Sequence, residues 1–203
     1  MSKTEQVRRP RGYVGRNHVT IGSDVLSVLQ ALEALAAGGE RLLSATLGSG
    51  EVDRLRGVDP KGWYPIHWLL ELFDTLDVKL GRATLVRVGR TLYDLSHAER
   101  VAPRSALDII EGIDAMYRHA NRGEDIGGWR VLSFEPGQAE LEKTTPHHCA
   151  VEEGILGRAL GLLGIPTVIQ QPVCLRRGGD ACRFVITSLV TDGRWSGGAT
   201  GPQ

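Results

Sequence analysis

The chain has 203 residues, of which 41% are hydrophobic, and this size fits one globular domain with a substantial core. Lys+Arg and Asp+Glu are both 24, so the chain lacks the basic excess of a nucleic-acid binder, and we expect no nucleic-acid partner. No stretch approaches the ~20 apolar residues that a membrane helix needs, so we expect no membrane span.

The two ends of the chain differ from its middle. Residues 1–17 are polar and basic with no apolar segment behind them, which predicts a flexible arm rather than a secretory signal. We therefore expect a cytoplasmic protein whose thiols are reduced. A single domain is predicted over 18–190. The Gly-rich residues 191–203 are predicted to be a disordered tail, in which Trp195 is the one bulky side chain.

The first half of the chain has the 3.6-residue apolar period of helices. The first predicted helix follows Ser23 and Asp24 as caps and ends at Gly38-Gly39, and a short helical turn follows over 41–47. The second has Pro65 in its first turn. Two more helices are predicted over 83–95 and 103–121.

The second half changes to the two-residue period of strands near Gly127-Gly128. Strands are predicted over 129–134 and 138–144, a helix over 149–163, and further strands over 167–174 and 182–188. The fold class is therefore α+β: an N-terminal helical half packed on a C-terminal ββαββ four-stranded antiparallel sheet.

Aromatic side chains are scarce, at 5% of the chain, and several fall in or beside the helical half. Ligand pockets are mostly apolar and aromatic, so these residues are candidates for the walls of one, although ordinary core packing uses the same residue types. The predicted pocket residues are Trp63, Trp68, Phe73, Tyr93 and Trp129.

The cysteines Cys149, Cys174 and Cys182 are the most informative residues. A hairpin that turns near Gly178 places Cys174 and Cys182 at equal distances from its tip, where cross-strand Cβ atoms lie about 4.5–5.5 Å apart. Cys149 begins the preceding helix, where the helix dipole favours a thiolate. Three interpretations remain open: a metal site, plain buried core cysteines, or a disulfide between the two hairpin cysteines.

Motifs for catalysis and nucleotide binding are absent. The sequence has no G-x-S-x-G, H-E-x-x-H, Walker loop or G-x-G-x-x-G, so no catalytic residue and no nucleotide cofactor are predicted. Glu152-Glu153 is interpreted as a solvated helix face, and His147-His148 as a solvated loop pair that could alternatively supply a metal ligand.

The segment from Cys149 to Ser188, C-A-V-E-E-G-I-L-G followed by C-L-R-R-G-G-D-A-C-R-F-V-I, resembles the end of the bacterial 4-vinyl reductase domain. Its superfamily includes the sensor domains of phenol-type activators of aromatic catabolism, the TRAPP vesicle-tethering subunits and the haem nitric-oxide-binding domains. From about Val19, with its W-Y-P and V-L-S-F-E-P-G segments, the chain looks like a bacterial paralogous family of that superfamily. The resemblance implies a ligand pocket between helices and sheet.

The resemblance also implies a zinc site. In the phenol-type sensors three cysteines and a glutamate hold zinc, and the cysteines fall here on Cys149, Cys174 and Cys182. The glutamate position falls on Gln171, a poor zinc ligand, which leaves the fourth place to His148 or to water. The haem-propionate motif Y-x-S-x-R of the nitric-oxide sensors is absent, so haem is not expected.

These features predict a non-catalytic, regulatory domain that binds a small hydrophobic or aromatic molecule and acts through a homodimer or a protein partner. Two alternatives stay open. One is a tetrapyrrole-handling enzyme or carrier like the bacteriochlorophyll vinyl reductases. The other is a dimeric scaffold like the TRAPP subunits.

Overall fold

The computed structural model of the protein describes residues 17–35, 39–96 and 103–197. Three parts of the sequence predictions lie outside these ranges. They are nearly all of the predicted basic arm, Gly38 at the predicted end of the first helix, and the last six residues of the predicted tail. No helix of the described ranges combines the length and the apolar character that crossing a membrane requires.

The first half consists of helices framed by three very short strands. The elements are β1 (Val19–Ile21), α1 (Gly22–Glu33), α2 (Gly39–Leu47), α3 (Ser49–Arg56), β2 (Trp63–Pro65), α4 (His67–Leu80), α5 (Arg82–Ser96), α6 (Ala106–Ala120) and β3 (Asn121–Arg122). The segment predicted as one short helical turn is therefore followed by a second helix, α3, which the sequence prediction did not contain.

The three short strands form a small antiparallel sheet in the order β2-β1-β3. The prediction that Pro65 opens a helix was wrong, because Pro65 ends β2 and pairs with Val19, and α4 begins at His67. Proline has no N–H to donate to a sheet, and it is tolerated here because β2 is an edge strand.

The second half forms the predicted sheet. It contains β4 (Trp129–Glu135), β5 (Gln138–Lys143), α7 (Cys149–Leu162), β6 (Thr167–Val173), β7 (Cys182–Ser188) and α8 (Gly193–Ser196). The strand order is β4-β5-β7-β6 and every neighbouring pair is antiparallel. The α+β prediction, with helices first and a ββαββ sheet after them, is confirmed.

Helix α7 lies at the centre of the molecule and crosses α5 at very short range. A Cβ atom at Gly154 would lie 2.1 Å from the carbonyl oxygen of Val86, and one at Gly89 would lie 2.0 Å from that of Val151. Only glycine allows the two backbones to approach this closely. The contact fixes α7, whose first turn carries Cys149 and Glu152.

The end of the described chain packs back onto the sheet. Residues 191–197 belong to the range predicted as a tail, and they include α8 and Trp195, which is fully buried. The Trp195 indole donates from Nε1 to the carbonyl oxygen of Glu135 at 2.7 Å, and its ring stacks on Phe134 with centroids 5.4 Å apart. The hydrogen bond and the stacking give this short helix a fixed position.

Candidate metal centre and ligand cavity

The three cysteines come from three separate elements and meet at one point. Cys149 is the first residue of α7, Cys174 follows β6, and Cys182 begins β7. Their Sγ atoms lie 3.3 Å (149–182), 3.9 Å (149–174) and 4.0 Å (174–182) apart. Tetrahedral zinc with ~2.3 Å bonds to sulfur places its thiolates about 3.5–4 Å apart, so this spacing suits a metal ion.

A buried lysine lies beside the thiols. Lys143, the last residue of β5, is 1% exposed, and its Nζ donates to the carbonyl oxygen of His147 at 2.6 Å and to Cys149 Sγ at 3.5 Å. Burial alone would lower the pKa of Lys143, but the attraction of the Cys149 and Cys182 sulfur atoms outweighs it and raises the pKa. The lysine therefore stays charged and offsets negative charge on the sulfurs.

The thiols share their protons unequally. Hydrogen bonds from Cys149 and Cys182 lower the pKa of Cys174, because they stabilise its thiolate. Cys182 is held as a donor by its contacts with Cys149 and Cys174, which raises its pKa. The backbone N–H of Leu175 also donates to Cys182 Sγ, at 3.3 Å. Cys174 is therefore held as a thiolate, which is the species that binds metals, whereas Cys182 keeps its proton until a metal displaces it.

The candidate fourth ligand His148 is already engaged at both ring nitrogens. As the N-cap of α7 it accepts at Nδ1 from the backbone N–H of Ala150 at 3.2 Å, and its Nε2 lies 3.3 Å from Asp77 Oδ2. Burial lowers the pKa of His148. The interpretation of His147-His148 as a solvated pair was wrong, because His148 is 5% exposed and His147 is part-buried with its ring against Tyr117.

A solvent-open pocket of about 360 Å³ adjoins the thiols. Its walls are Asp77, Arg82, His148, Cys149, Gln171, Cys174, Arg176 and Arg177. The Nε2 atom of Gln171 is buried and has no hydrogen-bond partner among the described residues. One side of the three-thiol cluster therefore faces a polar, arginine-lined space.

A second candidate site lies between α7 and α6. It consists of two adjoining narrow cavities of about 30 Å³ each. The first is lined by Tyr93, Asp108, Ile109, Gly112, Ile113, Met116, Ile155, Leu156 and Ala159, and the second by Asp24, Leu92, Ile113, Met116, Tyr117, Ala120, Asn121, Trp129, His147, Glu152 and Ile155. The two cavities share the apolar lining residues Ile113, Met116 and Ile155, so they adjoin each other along an apolar wall.

Trp129 contributes an unsatisfied donor to this region. Its backbone N–H donates to Asp114 Oδ1 at 2.7 Å, and its ring packs on Phe184 with centroids 5.2 Å apart. The indole Nε1 is buried and has no hydrogen-bond partner within the described part of the chain. An unpaired buried N–H costs about 1–3 kcal/mol, so a ligand atom that accepts from it has a direct energetic reason to bind.

The second cavity ends in titratable groups. Burial raises the pKa of Glu152 to about 7, against the opposing effect of Lys143, and burial together with Lys143 lowers the pKa of His147 to about 3. Near neutral pH the histidine is therefore uncharged and the carboxyl is close to half protonated. Glu152 is 5% exposed, so the interpretation of Glu152-Glu153 as a solvated face was wrong for this residue.

The five predicted pocket residues are not all in one place. Tyr93 and Trp129 line the two internal cavities, and Phe73 lies in the core, 6.3 Å from His147 between ring centroids. Trp63 and Trp68 lie elsewhere, each beneath an arginine. The Trp63 ring is 3.7 Å from the Arg122 guanidinium and the Trp68 ring 3.9 Å from that of Arg54.

The sequence interpretation did not include Glu152 and Met116 among the site residues. Glu152 stands three residues after Cys149 in α7, so the two share a helix face, and this spacing was a usable signal. Met116 carries no such signal.

No family model matches the chain, and no curated protein is significantly similar to it. Solved structures with the same fold include an H-NOX protein from S. oneidensis in the Fe(II) ligation state (15% identity, 85% of this chain and 98% of that chain covered, TM-score 0.61). An H-NOX domain mutant from Shewanella oneidensis in the Fe(II)CO state gives 16% identity, coverage of 82% and 97%, and a TM-score of 0.64. An unliganded Fe(II) H-NOX mutant from K. algicida is 12% identical, with 83% of this chain and 96% of that chain covered and a TM-score of 0.65.

At these identities the likeness establishes the fold alone, which this chain shares with the H-NOX domains. It contradicts the expectation that haem can be excluded, because the neighbours are haem-binding domains, and that expectation is withdrawn. The missing Y-x-S-x-R motif was too narrow a criterion. As packed, the two internal cavities of about 30 Å³ are far smaller than a haem, and His147 next to them already contacts Asn121 Oδ1 at 3.3 Å. These residues do not form a haem pocket in this conformation.

Proposed function

We propose that the chain is a cytoplasmic, non-catalytic regulatory domain that binds a small aromatic molecule carrying a hydrogen-bond acceptor. The fold shared with H-NOX domains supports a sensing role, and the resemblance of the segment from Cys149 to Ser188 to the 4-vinyl reductase domain supports a small-molecule ligand. The observation that carries the proposal is the buried, unpartnered indole N–H of Trp129, a residue that lines the second of the two cavities between α6 and α7.

The proposed binding mode follows from the lining of the two cavities. The polar atom of the ligand accepts from Trp129 Nε1 near Glu152, and the aromatic ring extends toward Ile113 and Ile155. An engineered protein cavity of roughly 150 Å³ binds benzene, whereas each cavity here holds about 30 Å³. Binding therefore requires a side chain to move. Met116, which lines both cavities and is only half-buried, is the flexible candidate.

Movement at this position offers a route for a signal. Met116 and Ile113 belong to α6, and Ile155 belongs to α7, so a ligand between them pushes on both helices. Because α7 is pinned to α5 at Gly154, we expect α6 to move more than α7. The protein partner or second copy that receives the signal remains a prediction from the sequence.

We further propose that Cys149, Cys174 and Cys182 hold a zinc ion with a structural role. Support comes from the Sγ spacing of 3.3–4.0 Å, from burial of all three residues and from the compensating charge of Lys143. The ion would connect the first turn of α7 to the β6–β7 hairpin. Elemental analysis of the purified protein tests this directly: about one zinc per chain in the wild type and a clear loss in Cys182→Ser are expected, and a metal-free wild type would end the proposal.

Calorimetric titration with a panel of substituted phenols tests the ligand site. We expect saturable binding to the wild type and roughly tenfold weaker binding to Trp129→Phe, which keeps the ring but loses a hydrogen bond of about 1.4 kcal/mol. Trp63→Phe is the matched control and should bind as the wild type does, because that ring lies beneath Arg122. Titration with hemin is run in parallel. Haem uptake without any phenol binding would contradict the proposed ligand class.

A further inference from the structure

We propose that the three-thiol centre takes a small carboxylate-type anion as an exchangeable fourth ligand, supplied through the arginine-lined pocket beside it. This inference rests on the proposed zinc ion at Cys149, Cys174 and Cys182. It adds a second binding site, distinct from the cavities beside Trp129, and gives the metal a role beyond holding the hairpin.

The protein supplies three ligands to this centre. Within residues 17–35, 39–96 and 103–197, no histidine, aspartate or glutamate joins the three thiols in a group whose donor atoms all lie within 4.8 Å of one another. His148 is held by Ala150 and Asp77 through both ring nitrogens. Zinc centres with three protein ligands complete their tetrahedron with water or a substrate group.

The pocket gives an external ligand access to the metal. Cys149 and Cys174 form part of its wall, while the pocket itself is open to solvent and has a volume of about 360 Å³. That volume is ample for a small carboxylate. The third thiol, Cys182, is not part of the pocket wall, so an external ligand approaches from the side of Cys149 and Cys174.

The charges of the pocket favour an anion. Three guanidinium groups, those of Arg82, Arg176 and Arg177, stand on its wall against the one carboxylate of Asp77. Arg82 and Arg176 form ion pairs with Glu153 and Asp74 outside the pocket lining, which offset part of their charge but leave further N–H groups for a ligand, so Arg177 contributes most to the attraction.

Two further features suit a carboxylate. Gln171 lines this same pocket, and its buried Nε2 is a donor with no partner among the described residues, so rotation of the side chain lets it donate to the second oxygen of a bound carboxylate. Zinc with three thiolates carries one net negative charge, and the Lys143 ammonium, 3.5 Å from Cys149 Sγ, cancels it. The centre therefore does not repel an incoming anion.

Anaerobic cobalt(II) substitution followed by absorption spectroscopy tests the inference, because the ligand-field bands of cobalt report its fourth ligand. Sodium acetate is the probe, and acetamide, which is of similar shape but neutral, is the control. We expect a saturable change of the cobalt bands with acetate and none with acetamide. Arg177→Ala should raise the acetate dissociation constant several-fold, while Arg183→Ala, which pairs with Glu140 away from the pocket, should leave it unchanged.

Gln171→Glu provides the decisive variant. It places a carboxylate of the protein where the buried amide is, so its cobalt spectrum should resemble that of the acetate-bound wild type and should no longer respond to acetate. Gln170→Glu, at the exposed neighbouring position, should behave as the wild type does. A wild type that binds cobalt but ignores acetate overturns this inference alone. A wild type that binds neither cobalt nor zinc overturns the metal centre as well.

Discussion

The substitution Lys143→Met removes the one buried positive charge beside the thiols while keeping a side chain of similar length. In the zinc-bound protein the lysine faces a centre with one net negative charge at 3.5 Å. With an effective dielectric constant of about 20, two unit charges at this distance attract by about 5 kcal/mol. Screening by the neighbouring solvent-open pocket reduces this value. We therefore expect zinc affinity to fall between roughly tenfold and a thousandfold, at 1.4 kcal/mol for each factor of ten.

The same substitution should have a much smaller effect on the metal-free protein. Replacing a buried charge by an apolar side chain of similar size is often neutral or stabilising, because the charge no longer needs to be desolvated. This relief from desolvation offsets the lost hydrogen bond at 2.6 Å to the His147 carbonyl oxygen, whose removal costs about 1–3 kcal/mol. Metal affinity and metal-free stability should thus respond very differently.

Competition with a chromophoric chelator measures zinc affinity, and urea unfolding in the presence of a strong chelator measures metal-free stability. Lys79→Met is the matched control, since Lys79 also donates to a backbone carbonyl, that of Thr46 at 2.6 Å, but is not part of the pocket beside the thiols. Equal zinc affinities for Lys143→Met, the control and the wild type would refute the electrostatic reasoning.

Three other perturbations have defined outcomes. Gly154→Ala forces a Cβ atom to within 2.1 Å of the Val86 carbonyl oxygen, so α5 and α7 must separate, and thermal unfolding should show a loss of about 1–3 kcal/mol or more. Trp195→Ala empties a fully buried site and removes the bond to Glu135, and urea unfolding should show a loss of about 3–5 kcal/mol, whereas a silent substitution would mean that α8 does not pack on the sheet. Burial raises the pKa of Glu152 from 4.5 to about 7, so the folded state keeps a proton that the unfolded state releases, and stability should fall as pH rises through this window. Glu152→Gln should remove that slope and gain up to about 3 kcal/mol over the wild type at pH 8 while matching it near pH 4.5, and parallel pH profiles of the two proteins would contradict the assignment.

Much of the fold follows from the sequence because periodicity is strong where elements are long. The change of period near Gly127-Gly128 correctly separated the helices from the four-stranded sheet. The small sheet was missed because its strands have only two or three residues, too few for a pattern, and because Val19 pairs with partners as distant as Pro65 and Arg122. Pairings of this kind depend on tertiary contacts that local sequence does not encode.

The convergence of the three cysteines was more predictable than the cavity. Cys174 and Cys182 were predicted to be neighbours because they are equally far from the hairpin tip, and Cys149 was predicted to begin the adjacent helix. The structure places the three sulfur atoms within 4.0 Å of one another. Glu152 was misjudged because α7 is buried on most of its surface, so the usual separation into a buried and a solvated face does not apply to it. For the aromatic residues, composition shows that they are scarce but does not show where they lie. Trp63, for example, lies beneath Arg122 and not in the cavities.

The most direct test of the proposed ligand site is the indole region of a ¹H–¹⁵N NMR spectrum, in which each of the four tryptophans gives one N–H signal. Trp195 already donates to Glu135 and serves as an internal reference. On saturation with a phenol that binds, the Trp129 signal should move downfield and become protected from exchange with solvent, while the Trp195 signal stays in place. Saturable binding that leaves the Trp129 signal unmoved would contradict the account, since the ligand would then occupy another part of the molecule.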